Sequence, residues 1–207
     1  MTTTWFGFYL EGRHVGWQQL VRRPLDTPEP LLRREVLTAF ALEGDLVLSG
    51  FFAEAPVGEP LAWRSFGTLV ETHGAWVEAV AFERRGSELL HPDGRTSPLP
   101  EVSYPGQLFL ELAISMLRRG PADLTATPIG DADGSLEEPV HLRIGHALEG
   151  PLNATHQVEE RAGGRAVLLA PDQRPERQVW GPVAWSGPAT TRALAKSAGP
   201  EGVVELT

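Results

Sequence analysis

Glycine-centred turns set between short aromatic and β-branched runs constrain this chain more than any other feature. Residues 5–10, Trp5-Phe6-Gly7-Phe8-Tyr9-Leu10, lead into a turn at Glu11-Gly12-Arg13-His14 and a return run over residues 15–21. Aromatic and β-branched side chains fit a pleated, half-buried surface, and a Gly turn between two such runs reads as a hairpin. After a Pro-rich connector over residues 23–30, residues 31–42 and 45–53 read as a second hairpin turning at Glu43-Gly44-Asp45. His73-Gly74 and Arg85-Gly86 then separate segments 61–71, 75–84 and 87–91, and Asp93-Gly94 closes this meander. In segment 75–84, Trp76, Val80 and Phe82 alternate with Val77, Ala79 and Ala81, so both faces carry apolar groups and the strand is expected to be central.

The clearest helix spans residues 106–119, where Leu108, Phe109, Leu112, Met116 and Leu117 recur at helical spacing. Pro105 stands at its start, and Gly120-Pro121 stops it behind the cationic last turn of Arg118 and Arg119. A helix apolar on one face needs a sheet to cover. A loop rich in Gly, Asp and Pro is expected over residues 127–139. Segments 140–147, 154–161, 165–170 and 178–185 follow as a second meander, with turns at Gly150-Pro151, Gly163-Gly164 and Asp172, and residues 188–198 read as a short helix. Twenty-two Gly and 18 Pro match many short strands joined by turns. The expected class is mainly antiparallel β with one or two helices, α+β, as one domain over residues 1–207 with a possible internal boundary at 121–139.

Several chemistries are disfavoured by composition. The chain has no Cys, which removes disulfides, thiolate metal sites, Fe–S clusters and a Cys nucleophile. A net charge of −9 argues against a broad grip on nucleic acid, because neutralising a polyanion takes clustered cations. No apolar run approaches the roughly 20 residues of a membrane span, and the start lacks the pattern of an export signal. A cytoplasmic protein without a membrane span is expected.

Motifs are sparse. Asp131, Asp133, Glu137 and Glu138 alternate around Gly134, but the spacing of a calcium loop is incomplete and a solvated acidic loop is the simpler reading. His141 and His146 are five apart, which aligns them on neither a strand nor a helix. Neither a nucleophile elbow nor a phosphate-binding glycine loop occurs, so no cofactor and no metal are expected. The arginine doublets Arg22-Arg23, Arg33-Arg34, Arg84-Arg85 and Arg118-Arg119 admit two readings. They either gather an anion or acidic partner, or keep sheet edges soluble and unpaired.

Six Trp beside only two Met suggest wide, rigid apolar surfaces on a curved sheet. These are either a large core or an apolar groove for a small molecule or a partner's hydrophobic segment. Tyr9, Trp17, Trp63, Phe66, Trp76 and Phe82 are the candidate groove-lining residues, being aromatic and on strands near the expected helix.

The opening run from Phe8 to Trp17, an aromatic strand, a Gly turn and a return strand, resembles the first hairpin of the lipoprotein-carrier-like superfamily. That resemblance implies a strongly curved sheet or half-barrel with a helix across its open face. It also implies binding of acyl chains or hydrophobic peptides, in a group that includes a cytoplasmic, cofactor-free enzyme. The leading expectation is a module that binds a hydrophobic small molecule or a protein partner. A cofactor-free enzyme using the same groove and a homodimer joined through a sheet face are the alternatives.

Overall fold

Two-residue turns with both residues at positive φ set the pattern of the first half. A computed structural model describes residues 1–147, 154–160, 164–181, 183–189 and 191–206. Strand β1 (Thr2–Leu10) turns into β2 (Arg13–Leu25), β3 (Leu31–Leu42) into β4 (Asp45–Pro56), and β5 (Ser65–Thr72) into β6 (Ala75–Arg85). The three turns are Glu11-Gly12, Glu43-Gly44 and His73-Gly74, with φ of 49° and 76°, 52° and 94°, and 52° and 82°. Positive φ at both positions is the type I′ geometry whose twist matches that of the flanking strands. Each glycine here occupies a conformation that most residues adopt only at a cost.

Short strands β7 (Glu88–Leu90), β8 (Thr96–Pro98) and β9 (Ser103–Pro105) follow, then a 3₁₀ turn (Gly106–Leu108) that runs into α1 (Phe109–Arg119). The second meander comprises β10 (Asp123–Ile129), β11 (Val140–His146), β12 (His156–Glu160), β13 (Arg165–Leu169), β14 (Pro175–Trp180) and β15 (Ala184–Pro188), and α2 (Arg192–Lys196) comes last. All the strands share one sheet in the order β8 to β1, then β15 back to β9. The two meanders join where β1 pairs antiparallel with β15. Every neighbouring pair is antiparallel except β9 with β10.

The sheet is curved and unclosed, with irregularities between Phe8 and Tyr9, Thr68 and Leu69, and Leu168 and Leu169. Bulges of this kind bend a strand and increase its twist. Its two ends approach through side chains: Trp63 Nε1 donates to the Ser103 carbonyl at 2.9 Å, and Phe66, Phe82, Leu89, Leu108 and Ile129 form one buried cluster there. Helix α1 lies in the concavity. Its buried face of Phe109, Leu110, Leu112, Ala113 and Met116 packs on Phe6, Leu20 and Val36 from one meander and on Leu142, Val158 and Val167 from the other. At roughly 1.5–3 kcal/mol for each large apolar side chain buried, this contact holds the two meanders together. The convex face is covered at β1–β4 by α2 and the tail, with Ala195 and Leu206 on Trp17, Val21, Leu37 and Phe52.

Three expectations change. The loop expected over residues 127–139 starts later, since pairing with β9 draws Thr127, Pro128 and Ile129 into β10. Segment 178–185 contains a reversal, because Gly181 at φ 65° ends β14 and β15 begins at Ala184. Strand β6 is not central over most of its length: β7 pairs only with Glu83, Arg84 and Arg85, leaving the outer edge of its first part open. The turn expected at Gly150-Pro151, and Gly163 of the next one, lie outside the described residues.

Candidate functional site

Strand alternation decides which side chains reach the concavity. On β2 and β3 the inward set is Gln18, Leu20, Arg22, Leu32, Arg34, Val36, Thr38 and Phe40, so polar and charged groups flank the apolar patch of Leu20 and Val36 on which α1 sits. Around that contact two cavities remain, of about 480 Å³ and about 270 Å³. Arg34 lines both.

The larger cavity lies between α1, the ends of β2–β4 and the segment 172–175. Its apolar wall includes Leu32, Ala55, Pro56, Leu108 and Ile114. Five arginines line it, Arg22, Arg34, Arg118, Arg119 and Arg174, against two carboxylates, Glu111 and Asp172. Three of the four arginine doublets thus contribute to one cavity in a chain whose net charge is −9.

The register explains why one of these charges is left over. Arg22 pairs across the strands with Arg34, and Arg23 with Arg33, placing like charges opposite each other on both faces of the sheet. Such pairs repel and need carboxylates to offset them. On the convex face Arg33 is met by Glu35 at 2.8 Å, Glu54 at 2.9 Å and Glu78 at 2.6 Å. On the concave face Glu111 bonds Arg22 at 2.8 Å. Arg34 is 4% exposed, and its Nε and Nη1 have no hydrogen-bond partner. Burial lowers its pKa to about 10, Glu111 and Asp131 opposing the fall and Arg22 adding to it, so the guanidinium stays charged at neutral pH. A buried cation lacking hydrogen bonds is costly.

The smaller cavity lies by the N-terminal end of α1. Asp131 accepts from the Gln107 backbone N–H at 3.1 Å and from Gln107 Nε2 at 3.2 Å. Burial raises its pKa to about 6, while the Gln107 bonds and Arg165 pull it down. Arg165 is itself occupied, by Glu137 at 3.3 Å and Glu160 at 3.9 Å. Gln18 donates to Thr38 Oγ1 at 3.2 Å and accepts from Gln178 at 3.4 Å, making a polar floor. Phe8, Phe40 and Trp180 form an aromatic rim, with ring centroids 4.9 and 6.0 Å from Phe8.

The six aromatic candidates are placed elsewhere. Trp63, Phe66 and Phe82 come together in the wedge between the sheet ends, with centroids 5.3 and 5.0 Å apart. Trp17 is fully buried on the convex face, and Trp76 joins the same cluster, donating from Nε1 to the Val204 carbonyl at 2.7 Å. Trp76 also borders a convex-side cavity of about 310 Å³ with Arg23, Arg33 and Glu35. Tyr9 stacks on Trp185 at 3.9 Å and on His14 at 4.8 Å. The concave site is made instead by Arg34, Asp131, Gln107, Gln18 and Arg165. Among them only Arg34 and Asp131 carried a sequence signal, as part of a doublet and of the acidic loop. In that loop Asp133 receives Ser135 N–H and Oγ at 2.9 and 2.7 Å, and Asp131 turns inward. Among the described residues no three His, Asp or Glu side chains gather to hold a metal ion, and no helix is long and apolar enough to cross a membrane.

Asp131 carries a stability signature with a definite sign. Its folded pKa of about 6 lies above the ordinary 3.8, so its contribution is fully present below about pH 3.8 and is lost as pH rises through about 6. Asp131→Asn is expected to raise unfolding free energy by about 2 kcal/mol near pH 7.5, after discounting for partial exposure, and by almost nothing near pH 4. Urea melts of both proteins at the two pH values check this; an equal or inverted gap would contradict it.

The fold and cavities define a mainly antiparallel α+β protein with a curved, unclosed sheet wrapped on one helix. In comparisons with known proteins, no family model, no curated protein and no solved structure matches the chain.

Proposed function

We propose that this chain is a binding module that holds a hydrophobic small molecule in the concavity between α1 and the sheet. The observation that carries the reading is the cavity of about 480 Å³ beside α1, walled by Leu32, Ala55, Pro56, Leu108 and Ile114. That volume is in the range of small-molecule sites, which are mostly apolar with a few convergent polar groups. The resemblance of the first hairpin to lipoprotein-carrier-like proteins points the same way, as does a helix lying across the open face.

The test uses an uncharged probe, so that it reads the cavity without an ionic contribution. Calorimetric titration with dodecanol is expected to give saturable one-to-one binding with a dissociation constant of about 1–100 μM. Ile114→Trp, which fills the cavity from α1, should weaken it roughly tenfold or more. Absence of saturable binding, or full affinity in Ile114→Trp, would count against the module.

A second reading, a cofactor-free enzyme, is favoured by Asp131. A carboxyl group with pKa near neutrality beside two arginines in a cleft is suited to proton transfer. It predicts that Asp131→Asn abolishes turnover of a bound molecule while leaving its binding intact.

A further inference from the structure

We infer that the molecule held beside α1 is an anionic amphiphile whose oxyanion head, carboxylate or phosphate, is received by Arg34 at the inner end of the larger cavity. This rests on the binding reading above and adds the chemical class of ligand. Four observations carry it. The Arg34 guanidinium is nine-tenths or more buried and lines both cavities, with Nε and Nη1 left without a partner. The carboxylates nearest to it are engaged elsewhere: Glu111 accepts from Arg22 at 2.8 Å, and Asp131 accepts from Gln107 at 3.1 and 3.2 Å. The walls of the larger cavity carry five arginines against two carboxylates, an excess of positive charge in an acidic chain. The wall next to Arg34 is apolar through Leu32, Ala55, Leu108 and Ile114, a surface that suits a hydrocarbon chain and not a second charge.

A buried guanidinium with two unpaired nitrogens destabilises the empty protein, and an oxyanion accepting from them offsets this in a low-dielectric setting where charge-assisted bonds are strong. A cationic head offers Arg34 no acceptor, and a neutral hydroxyl accepts a hydrogen bond but brings no charge to offset the guanidinium. A cationic head is also repelled by the surrounding arginines. Arg118 donates to Gln173, and Arg174 lies 3.9 Å from Asp172 and 3.5 Å from Glu176, so those two cations already have partners on the segment that flanks the cavity mouth. Arg34 is the group whose hydrogen bonding the head completes.

The experiment measures affinities of the full chain for four C12 probes that share a tail: laurate, dodecyl phosphate, dodecanol and dodecylamine. Laurate or dodecyl phosphate is expected to bind roughly 10-fold to 100-fold more tightly than dodecanol, and dodecylamine more weakly than dodecanol. The stronger of laurate and dodecyl phosphate names the head. Arg34→Met should erase the preference for the anion while changing dodecanol affinity less than about threefold, and Arg34→Lys should restore part of it. If Arg34→Met fails to fold, Arg34→Gln makes the same comparison with a neutral polar side chain. Equal binding of anion and alcohol, or an anion preference that survives in Arg34→Met or Arg34→Gln, would overturn the inference and leave the binding module standing. No binding of any probe would overturn both.

Discussion

Trp63→Ala is expected to cost about 4 kcal/mol of unfolding free energy, the scale of a fully buried Trp lost from a core. Trp63 is 0% exposed, and it stands in the loop that enters β5 at one end of the sheet. It donates from Nε1 to Ser103, on β9 at the opposite end, at 2.9 Å. Phe66 meets it edge-on at 5.3 Å, and the Arg84 guanidinium lies 5.4 Å from its ring centroid. Its removal leaves a void in the apolar wedge and an unsatisfied carbonyl, so transfer and hydrogen-bond losses add. Trp63→Phe keeps most of the ring and loses the bond, with an expected cost of about 1–2 kcal/mol. Urea denaturation with an unchanged slope reads both values. A loss below about 1.5 kcal/mol for Trp63→Ala would mean that the sheet ends are held by other contacts.

Removing the chain from Gly199 onward should be nearly as costly, again about 4 kcal/mol, and should add self-association. Leu206 is buried against the convex face, and its backbone exchanges two hydrogen bonds with the Gln19 amide, at 3.0 and 2.8 Å. Trp76 Nε1 donates to Val204, and Glu205 accepts from Lys196 at 2.8 Å and also from Arg192. Without this strap Gln19 loses both of its hydrogen bonds to Leu206, and Trp17, Leu37 and Phe52 lose part of their cover. Thermal melts read the first effect and sedimentation velocity the second. A truncated chain that melts like the full one and sediments as a monomer would contradict the strap's role. Leu206→Ala, which keeps the backbone bonds, is the milder control at about 2 kcal/mol.

The turns and α1 were legible in the sequence because their causes are local. Gly12, Gly44 and Gly74 each take the positive φ of a two-residue turn between apolar runs, and the apolar residues of α1 recur at 3.6-residue spacing between Pro105 and Gly120. Strand β10 was not legible: its outer partner β9 lies across the helix in sequence, and Pro128 near its end reads as loop. The reversal at Gly181 was hidden inside an apolar run from Val179 to Trp185. Parity decides which strand residues face the concavity. Trp17 marks β2 as half-buried but does not say which face is concave, and the polar concave residues of that strand are Gln18 and Arg22. The aromatic set reported burial, chiefly in the wedge and under the tail. The arginine doublets were the better guide to the concavity, since alternation sends one member of each strand doublet to each face.

Native mass spectrometry of the intact chain mixed with laurate and dodecylamine at equal concentration separates an anion-selective cavity from a merely apolar one. A one-to-one laurate adduct that is lost on unfolding is expected, with little or no adduct of the amine. Equal adducts of the two, or none of either, would contradict an anion-selective cavity.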